Sequence, residues 1–414
     1  MNIMVQSEIG KLEGVIIHTP GKEVEDMTPQ NVERALYSDI LNLTVVSKEY
    51  SQLAGILHSI AQVFEIQDLL KEILQKEEVK KSLMERICRN EKVEKLGHYL
   101  LDLPAGELAR QLIEGVPLVK DNLSKFLSSE RYALQPLHNF FFTRDAAFVI
   151  GTKVVIARMA SQVREREAII SEAIFNNHPL FQIATSNPIN VESLDDRTTI
   201  EGGDILVARS DILLMGIGKR TTPQGVDYMI DILKQDPQTH HLIIQELPGE
   251  PESFIHMDMV FTLVDAQHCL IYQPVIVNPG RLKTVHIAIE QGEVQSIAEE
   301  KNIIEVLKKL GMELSPIICG GQKDDWTQER EQWHSGANFF AIAPGKVLGY
   351  GQNIYTMEEM NQHGYEVIRD RELLSGKKNL GDYRKCVITI EGSELSRGGG
   401  GCRCMTMPIK RKPI

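Results

Sequence analysis

The stretch Ile212-Leu-Leu-Met215, followed by Gly218-Lys-Arg220-Thr-Thr and then an apolar pattern at helical spacing through Met229 to Leu233, decides the fold. A short, wholly apolar run is the mark of a buried strand, the glycine with charged and hydroxylated residues after it makes a turn, and the 3.6-residue spacing beyond makes a helix. The same succession occurs on either side. Val154-Val-Ile-Ala157 leads through a polar turn with Arg164 into a helical pattern from Glu167 to Ile174, and Val347-Leu-Gly-Tyr350 leads past Asn353 into a helix from about Met357 to Tyr365. Strand, polar turn residue and helix recur in that order, so repetition about a centre would aim the turn residues at a shared axis. The expected class is α/β.

Towards the N-terminal side, Val15 to Ile17 follows Gly14 and ends at His18-Thr19-Pro20-Gly21, which reads as a further strand and turn. Between Ser47 and Leu134 the character changes to a stretch rich in Leu, Lys, Glu, Gln and Ile, with apolar residues such as Leu69, Leu70, Ile73 and Leu74 at helical spacing. This is expected to be an insertion of several short helices in which Leu83 and Met84 belong to the core stripe. Gly202, Gly203, Gly320 and Gly321 punctuate the strands as turns or close backbone approaches.

Across 414 residues, 45 Lys and Arg stand against 57 Asp and Glu, a formal net charge of −12. That balance excludes a polyanion binder as the default and leaves a small cationic ligand compatible. Six cysteines, at 88, 269, 319, 386, 402 and 404, are scattered, and the opening MNIMVQSEIGKLEG lacks the apolar run of a secretory signal, so a cytoplasmic protein with reduced thiols is expected. No apolar stretch is long enough for a membrane helix, since even Cys269 to Val277 is broken by Gln273 and Pro274. The basic tail Lys410 to Lys412 reads as a solvated terminus.

Four places carry candidate chemistry. Asn139-Phe-Phe-Phe142-Thr-Arg144-Asp145 sets an acid beside aromatics, with Phe140 and Phe141 expected in the core and Asp145 suited to clamp a cation. Glu201-Gly-Gly-Asp204 precedes the strand at Ile205, and in isolation is as readily a tight turn with solvated acids. His256-Met-Asp258 lies in an apolar segment read as a strand, which would put both ionisable groups on one face and demand partners for them. Gly398-Gly-Gly-Gly401-Cys402-Arg403-Cys404 is a glycine loop with a cysteine at its exit. Cys402 and Cys404 raise the thought of a metal or redox pair, but a Cys-x-Cys disulfide is strained and no second cysteine pair has zinc-ligand spacing, so no metal is expected. A guanidinium is a poor electrophile. It calls for a thiolate, carboxylates to hold the planar cation and a histidine to move protons, and this inventory fits a cofactor-free guanidine hydrolase.

The chain resembles the arginine deiminase family of the guanidino-group modifying superfamily over nearly its whole length. The resemblance rests on Ser7 through Glu23, the Phe-Thr-Arg-Asp ending at Asp145, Glu201-Gly-Gly-Asp204, His256-Met-Asp258, Ala341-Ile-Ala-Pro-Gly345 and Cys404-Met-Thr-Met-Pro408, in the family's order. It implies a pseudo-fivefold α/β propeller of ββαβ modules, formed by residues 1–46 and 138–414, with a helical-bundle domain at 47–137 inserted after the first module. It implies Cys404 as nucleophile, His256 as general acid and base, Asp145 and Asp258 holding the guanidinium, and Glu201 supporting His256. Arg164 and Arg220 would grip the substrate α-carboxylate, Asn139 and Phe142 would line the pocket, and Gly398 would offer a backbone carbonyl. The implied reaction converts L-arginine and water to L-citrulline and ammonia. An agmatine deiminase, a citrulline ureidase and a catalytically silent arginine-binding protein are the alternatives, and a homo-oligomer is compatible. The chain departs from the family pattern at Gly399, Met259, His334-Ser335 and Gly351-Gln352, positions expected around the mouth of the site.

Overall fold

Only Ser210 and Asp211 separate the strands Ile205–Arg209 and Ile212–Ile217, which pair antiparallel. The chain then passes through the helix Pro223–Leu233 and returns as His240–Glu246, parallel to Ile212–Ile217. The helix begins where its sequence dictates: Thr222 accepts a hydrogen bond from Gly225 N–H, and Pro223 fills a first-turn position that needs no donor. The computed structural model describes all residues except 193, 196, 252, 253 and 279.

This hairpin, helix and parallel return recurs. Phe261–Leu263 and His268–Ile271 pair antiparallel, the helix Ile303–Lys309 follows, and Ser315–Ile318 returns parallel to the second strand. Phe340–Ala343 pairs with Lys346–Tyr350, and after the helix Ile354–Gln362 the strand Cys386–Ile390 lies parallel to Lys346–Tyr350. Ala147–Ile150 pairs with Lys153–Ile156, and beyond the helix Glu165–Asn177 the return shrinks to one parallel bridge between Val155 and Ser186. The last instance joins distant parts of the chain: Met407–Arg411 pairs antiparallel with Leu12–Ile17, the helix Leu43–Ile60 follows, and Gln62–Glu65 returns parallel. The hairpin Thr284–Glu290 and Glu293–Glu300 widens the sheet beside His240–Glu246 to five strands.

The inner strands Ile212–Ile217 and Cys386–Ile390 are buried along nearly their full length, which is why they read as continuous apolar runs, whereas the outer strand Glu293–Glu300 is mostly exposed. Leu83 and Met84 are buried, sharing one core with Ile169 and Ile170 of the helix Glu165–Asn177. The helices Ile66–Ile73, Glu77–Glu91, Gly97–Asp102, Ala105–Glu114 and Leu123–Leu127 form the helical segment. Its expected start at residue 47 needs correction. The strand Gln62–Glu65 belongs to the sheet with Leu12–Ile17, and Tyr50, Leu53 and Leu57 of the preceding helix pack with Leu12, Val15 and Tyr350. The basic tail is corrected as well. Arg411 is not solvated: it ends a strand, is 1% exposed, donates to Gly10 O at 2.8 Å and stacks over Phe340. Among the described residues no helix is long and apolar enough to cross a membrane.

Candidate active site

Close backbone approach at the paired glycines brings the first three candidates together. A Cβ at Gly203 would stand 2.7 Å from the His256 ring and 2.9 Å from Asp145 Oδ1, and one at Gly202 would strike the carbonyl of Arg144. Glycine is the residue that lets the Glu201, His256 and Asp145 segments meet. Gly202 N–H donates to Asp145 O at 3.0 Å, fixing the two turns to each other. His256 is not in a strand, as the alternation had suggested. It precedes the short helix Met257–Val260, and Asp204 Oδ1 accepts from Met257 N–H at 2.9 Å, capping that turn from another part of the chain. The strand begins only at Phe261.

His256 Nε2 lies 2.9 Å from Glu201 Oε2, and its Nδ1 lies 3.7 Å from Asp145 Oδ1. Burial would favour the neutral ring, but the carboxylates of Asp145, Glu201 and Asp204 outweigh it and lift the imidazole to about 9. Glu201 is fully buried, and although burial opposes its charge, Arg220 and His256 hold it down to about 2. Asp204 goes the other way, pushed up to about 7 mainly by burial. The imidazole is therefore a cation at neutral pH, equipped to give a proton to a leaving amine.

Cys404 is 4% exposed, and its Sγ lies 3.7 and 3.9 Å from the two oxygens of Asp258. Burial first, then the charges of Asp258 and Asp145, push the thiol well above its ordinary value. Each of the two aspartates has one oxygen tied to an internal arginine: Arg164 Nη1 donates to Asp145 Oδ2 at 2.7 Å, and Arg403 Nη1 donates to Asp258 Oδ2 at 2.8 Å. Asp145 Oδ1, fully enclosed, accepts no hydrogen bond. Among the described residues, Asp258 Oδ1 has the Cys404 sulfur as its one hydrogen-bonding neighbour, at 3.9 Å. Two buried carboxylates thus leave acceptor capacity beside the thiol and the imidazole, which suits a planar cation with N–H groups on several sides.

The two arginines expected to act alike sit differently. Arg220 is half-open, 3.7 Å from Glu201 Oε1, and lines a cavity of about 780 Å³ with Ser161, Ile255 and Trp333. Arg164 is 3% exposed, and besides Asp145 it donates to Glu167 Oε2 at 2.8 Å and faces the carbonyls of Asn139 and Phe142. Its donors are turned inward, not toward an open cavity. Asn139 is buried and gives its amide to Ala35 O at 2.6 Å, while Phe142 packs beneath the glycine loop, 3.2 Å from where a Cβ on Gly398 would lie. Gly399 is exposed and has φ +81, as expected of a residue at the mouth.

Several participants escaped the sequence reading. Asn338 donates to Cys404 Sγ at 3.2 Å and to Asp258 O at 3.0 Å, while its oxygen accepts from Arg403 N–H at 3.0 Å and Cys404 N–H at 3.3 Å. A lone asparagine in Gly336-Ala-Asn338 offers no local pattern. Arg403, visible between two cysteines but assigned nothing, is gripped by Glu8 on one side and Asp258 on the other. Arg144 ties the walls together, its N–H donating to Cys404 O at 3.1 Å. Met259, expected at the mouth, is instead 1% exposed with its sulfur 3.7 Å from Cys404 Sγ, so this departure from the family pattern touches Cys404 itself. Cys402 is a buried free thiol, its ionisation suppressed mainly by burial.

Asp145, Glu201 and His256 each bring a ligand-type atom within 4.8 Å of the others, the spacing of a cation site. Arg164 and Arg220 already set two positive charges against these carboxylates. That favours a delocalised monocation over a divalent metal.

Comparison with known proteins agrees with this chemistry. The arginine deiminase family model matches residues 33–411. The arginine deiminase of Bacillus cytotoxicus is 34% identical, aligning 100% of this chain with 99% of its own length, and that of Oenococcus oeni is 31% identical over 100% and 98%. Among solved structures, a dimethylarginine dimethylaminohydrolase adduct with S-methyl-L-thiocitrulline covers 96% of this chain and 99% of its own at 13% identity and a TM-score of 0.51. The product-bound N-terminal domain of ArgZ, a cyanobacterial arginine dihydrolase, matches over 97% of this chain and 98% of that domain at 13% identity and a TM-score of 0.54. These two show a shared mixed α/β fold, and the full-length sequence matches say more: the chain belongs to the arginine deiminase family.

Proposed function

We propose that the chain is an arginine deiminase that hydrolyses L-arginine to L-citrulline and ammonia through a covalent Cys404 intermediate, without cofactor or metal. The observation that supports it is the pair of buried aspartates with unused acceptor oxygens beside a buried thiol. In this reading the substrate guanidinium donates to Asp145 Oδ1 and to Asp258, and its positive charge stabilises the Cys404 thiolate, whose proton is released to solvent. The thiolate adds to the guanidinium carbon. The His256 cation then protonates the departing amine, which leaves as ammonia with formation of an S-alkylthiouronium cation. Now neutral, His256 takes a proton from water, hydroxide attacks the same carbon, and collapse expels the thiolate and leaves citrulline after loss of one proton. Glu201 holds the imidazole, and Asn338 holds the sulfur against Asp258. Asn139, Phe142 and Gly398 enclose the substrate.

Arg220, half-open at the cavity, would receive the substrate α-carboxylate, and Arg164 could join it only by turning from Asp145. This carboxylate contact favours arginine over agmatine. We further propose that the five hairpin-helix-strand units close into a pseudo-fivefold propeller. Residues 1–65 and 135–414 would form its catalytic body, and 66–134 the helical insertion. The six free cysteines and the acidic balance suit a cytoplasmic enzyme with a small-molecule substrate and no nucleic-acid partner. One incubation with arginine, agmatine and citrulline, reading ammonia and the organic product, tests the reading. Ammonia and citrulline from arginine are expected, with agmatine turned over far more slowly and citrulline unchanged, whereas ammonia only from agmatine or citrulline would overturn it.

A further inference from the structure

A second cavity of about 470 Å³ lies at the seam between the helical segment and the catalytic body, lined by Asn90, Glu91 and Lys92 on one side and by Arg34, Gln135 and Arg166 on the other. Arg166 is the unusual member. It is 1% exposed, and its Nη2 donates to Gln135 O while Nε and Nη1 meet no hydrogen-bond acceptor among the described residues. The nearest carboxylate, Glu91, is 3.5 Å from Nε and partly solvated. Asn90 repeats the pattern, its Oδ1 accepting from Gln162 while its Nδ2 has no acceptor. Lys92 is exposed at the rim, as is Arg34, 3.7 Å from Glu130. The other acid on the lining, Glu167, is consumed by Arg164. Unused donors of a buried guanidinium cost free energy, and here Arg166 Nε and Nη1 and Asn90 Nδ2 are left open at one cavity.

We propose that this seam is a binding site for a small oxyanion, the carboxylate or phosphate group of a metabolite, distinct from the cavity lined by Arg220 although Asn139 borders it. Two oxygens of the anion take Arg166 Nε and Nη1, Asn90 adds a neutral donor, and Lys92 and Arg34 supply charge at the entrance. Burial depresses the Arg166 guanidinium's affinity for its proton, and an anion alongside would reverse that. The site adjoins the machinery: Glu167 follows Arg166 directly and holds Arg164, which holds Asp145, so an occupant at the seam is linked to the guanidinium clamp through neighbouring side chains.

The test is calorimetric titration of the full-length enzyme with inorganic phosphate and, separately, with malonate at matched ionic strength, in the presence of saturating citrulline to fill the arginine pocket. Saturable one-to-one binding is expected. Arg166→Met should weaken it roughly tenfold or more. The surface double variant Arg34→Gln with Lys92→Gln should weaken it about threefold or more and decides the matter should Arg166→Met fail to fold. Binding of phosphate alone assigns a phosphorylated ligand, and binding of malonate alone assigns a carboxylate. No saturable heat with either anion up to about 10 mM, or binding untouched by the double variant and by any folded Arg166→Met, would overturn the proposal.

Discussion

The wall that carries Cys404 and the wall that carries His256 are made of the same parts, yet the parts act in opposite senses. In each, an arginine is inserted between a site aspartate and a second buried acid: Arg403 between Asp258 and Glu8, Arg164 between Asp145 and Glu167. In each, the arginine holds one aspartate oxygen and leaves the other, still negative, facing the buried thiol or imidazole. On the thiol that field disfavours ionisation, and on the imidazole it favours protonation. Both groups therefore hold their protons in the empty site. In the proposed mechanism a chemically similar surrounding would keep the Cys404 thiol silent and the imidazole ready, and a guanidinium arriving between the walls would change the sign for the sulfur.

The largest effect should come from the nucleophile's wall. Cys404→Ser should lower citrulline formation by at least roughly 10⁴-fold, because a hydroxyl of high pKa is too weak against guanidinium. Cys402→Ala, two residues away in the same buried loop, should stay within about tenfold of wild type. A covalent adduct mapped to Cys402 would reverse the assignment of the two sulfurs.

The opposite wall should respond less steeply. Glu201→Gln removes a buried anion 2.9 Å from the imidazole, so kcat should fall on the order of 10²-fold and the alkaline limb of the pH-rate profile should move to lower pH. An unmoved limb with kcat reduced would mean that Glu201 only packs beside His256.

Arg220→Gln and Arg164→Gln sharpen the comparison further. The first should raise KM for arginine roughly ten- to hundredfold and leave agmatine turnover little changed, since only arginine has the carboxylate. The second should depress kcat for both compounds through loss of the grip on Asp145. Identical behaviour of the two variants would mean that both arginines read the same substrate group.

The smallest effect is on stability. The folded imidazole titrates at about 9 against 6.5 for the ordinary group, so its contribution is fully present below about 6.5 and is lost as pH rises toward 9. Buried as it is, the gain is on the order of 3 kcal/mol at most. The difference in urea midpoint between wild type and His256→Gln should shrink between pH 6.5 and 9, and a constant gap would place the charged imidazole outside the folding balance.

How much of this was legible in the sequence depended on whether a contact was local. The strand at Ile212 and the helix after Thr222 announce themselves through a buried apolar run and a cap three residues from its donor. His256 and Asp258 read as strand residues because Phe254 through Phe261 is otherwise apolar, and what bends the segment into a helical turn is Asp204, which lies 53 residues from Met257. The helix Leu43–Ile60 looks, by composition, like those that follow it, and only its parallel return to Leu12–Ile17 assigns it to the sheet. Asn338 touches sulfur and backbone across the 66 residues to Cys404, a relation that no periodicity records.

The pairing of Met407–Arg411 with Leu12–Ile17 also sets an order in time. A ribosome has made every other strand of the sheets before it reaches Cys404, which stands just ahead of that closing strand. Until residues 407–411 have emerged and docked, Arg403 cannot reach Glu8 and the thiol cannot sit against Asp258. Cys404 consequently meets its partners only after residues 1–406 have been made, and the pairing of Met407–Arg411 with Leu12–Ile17 doubles as the step that brings the site together.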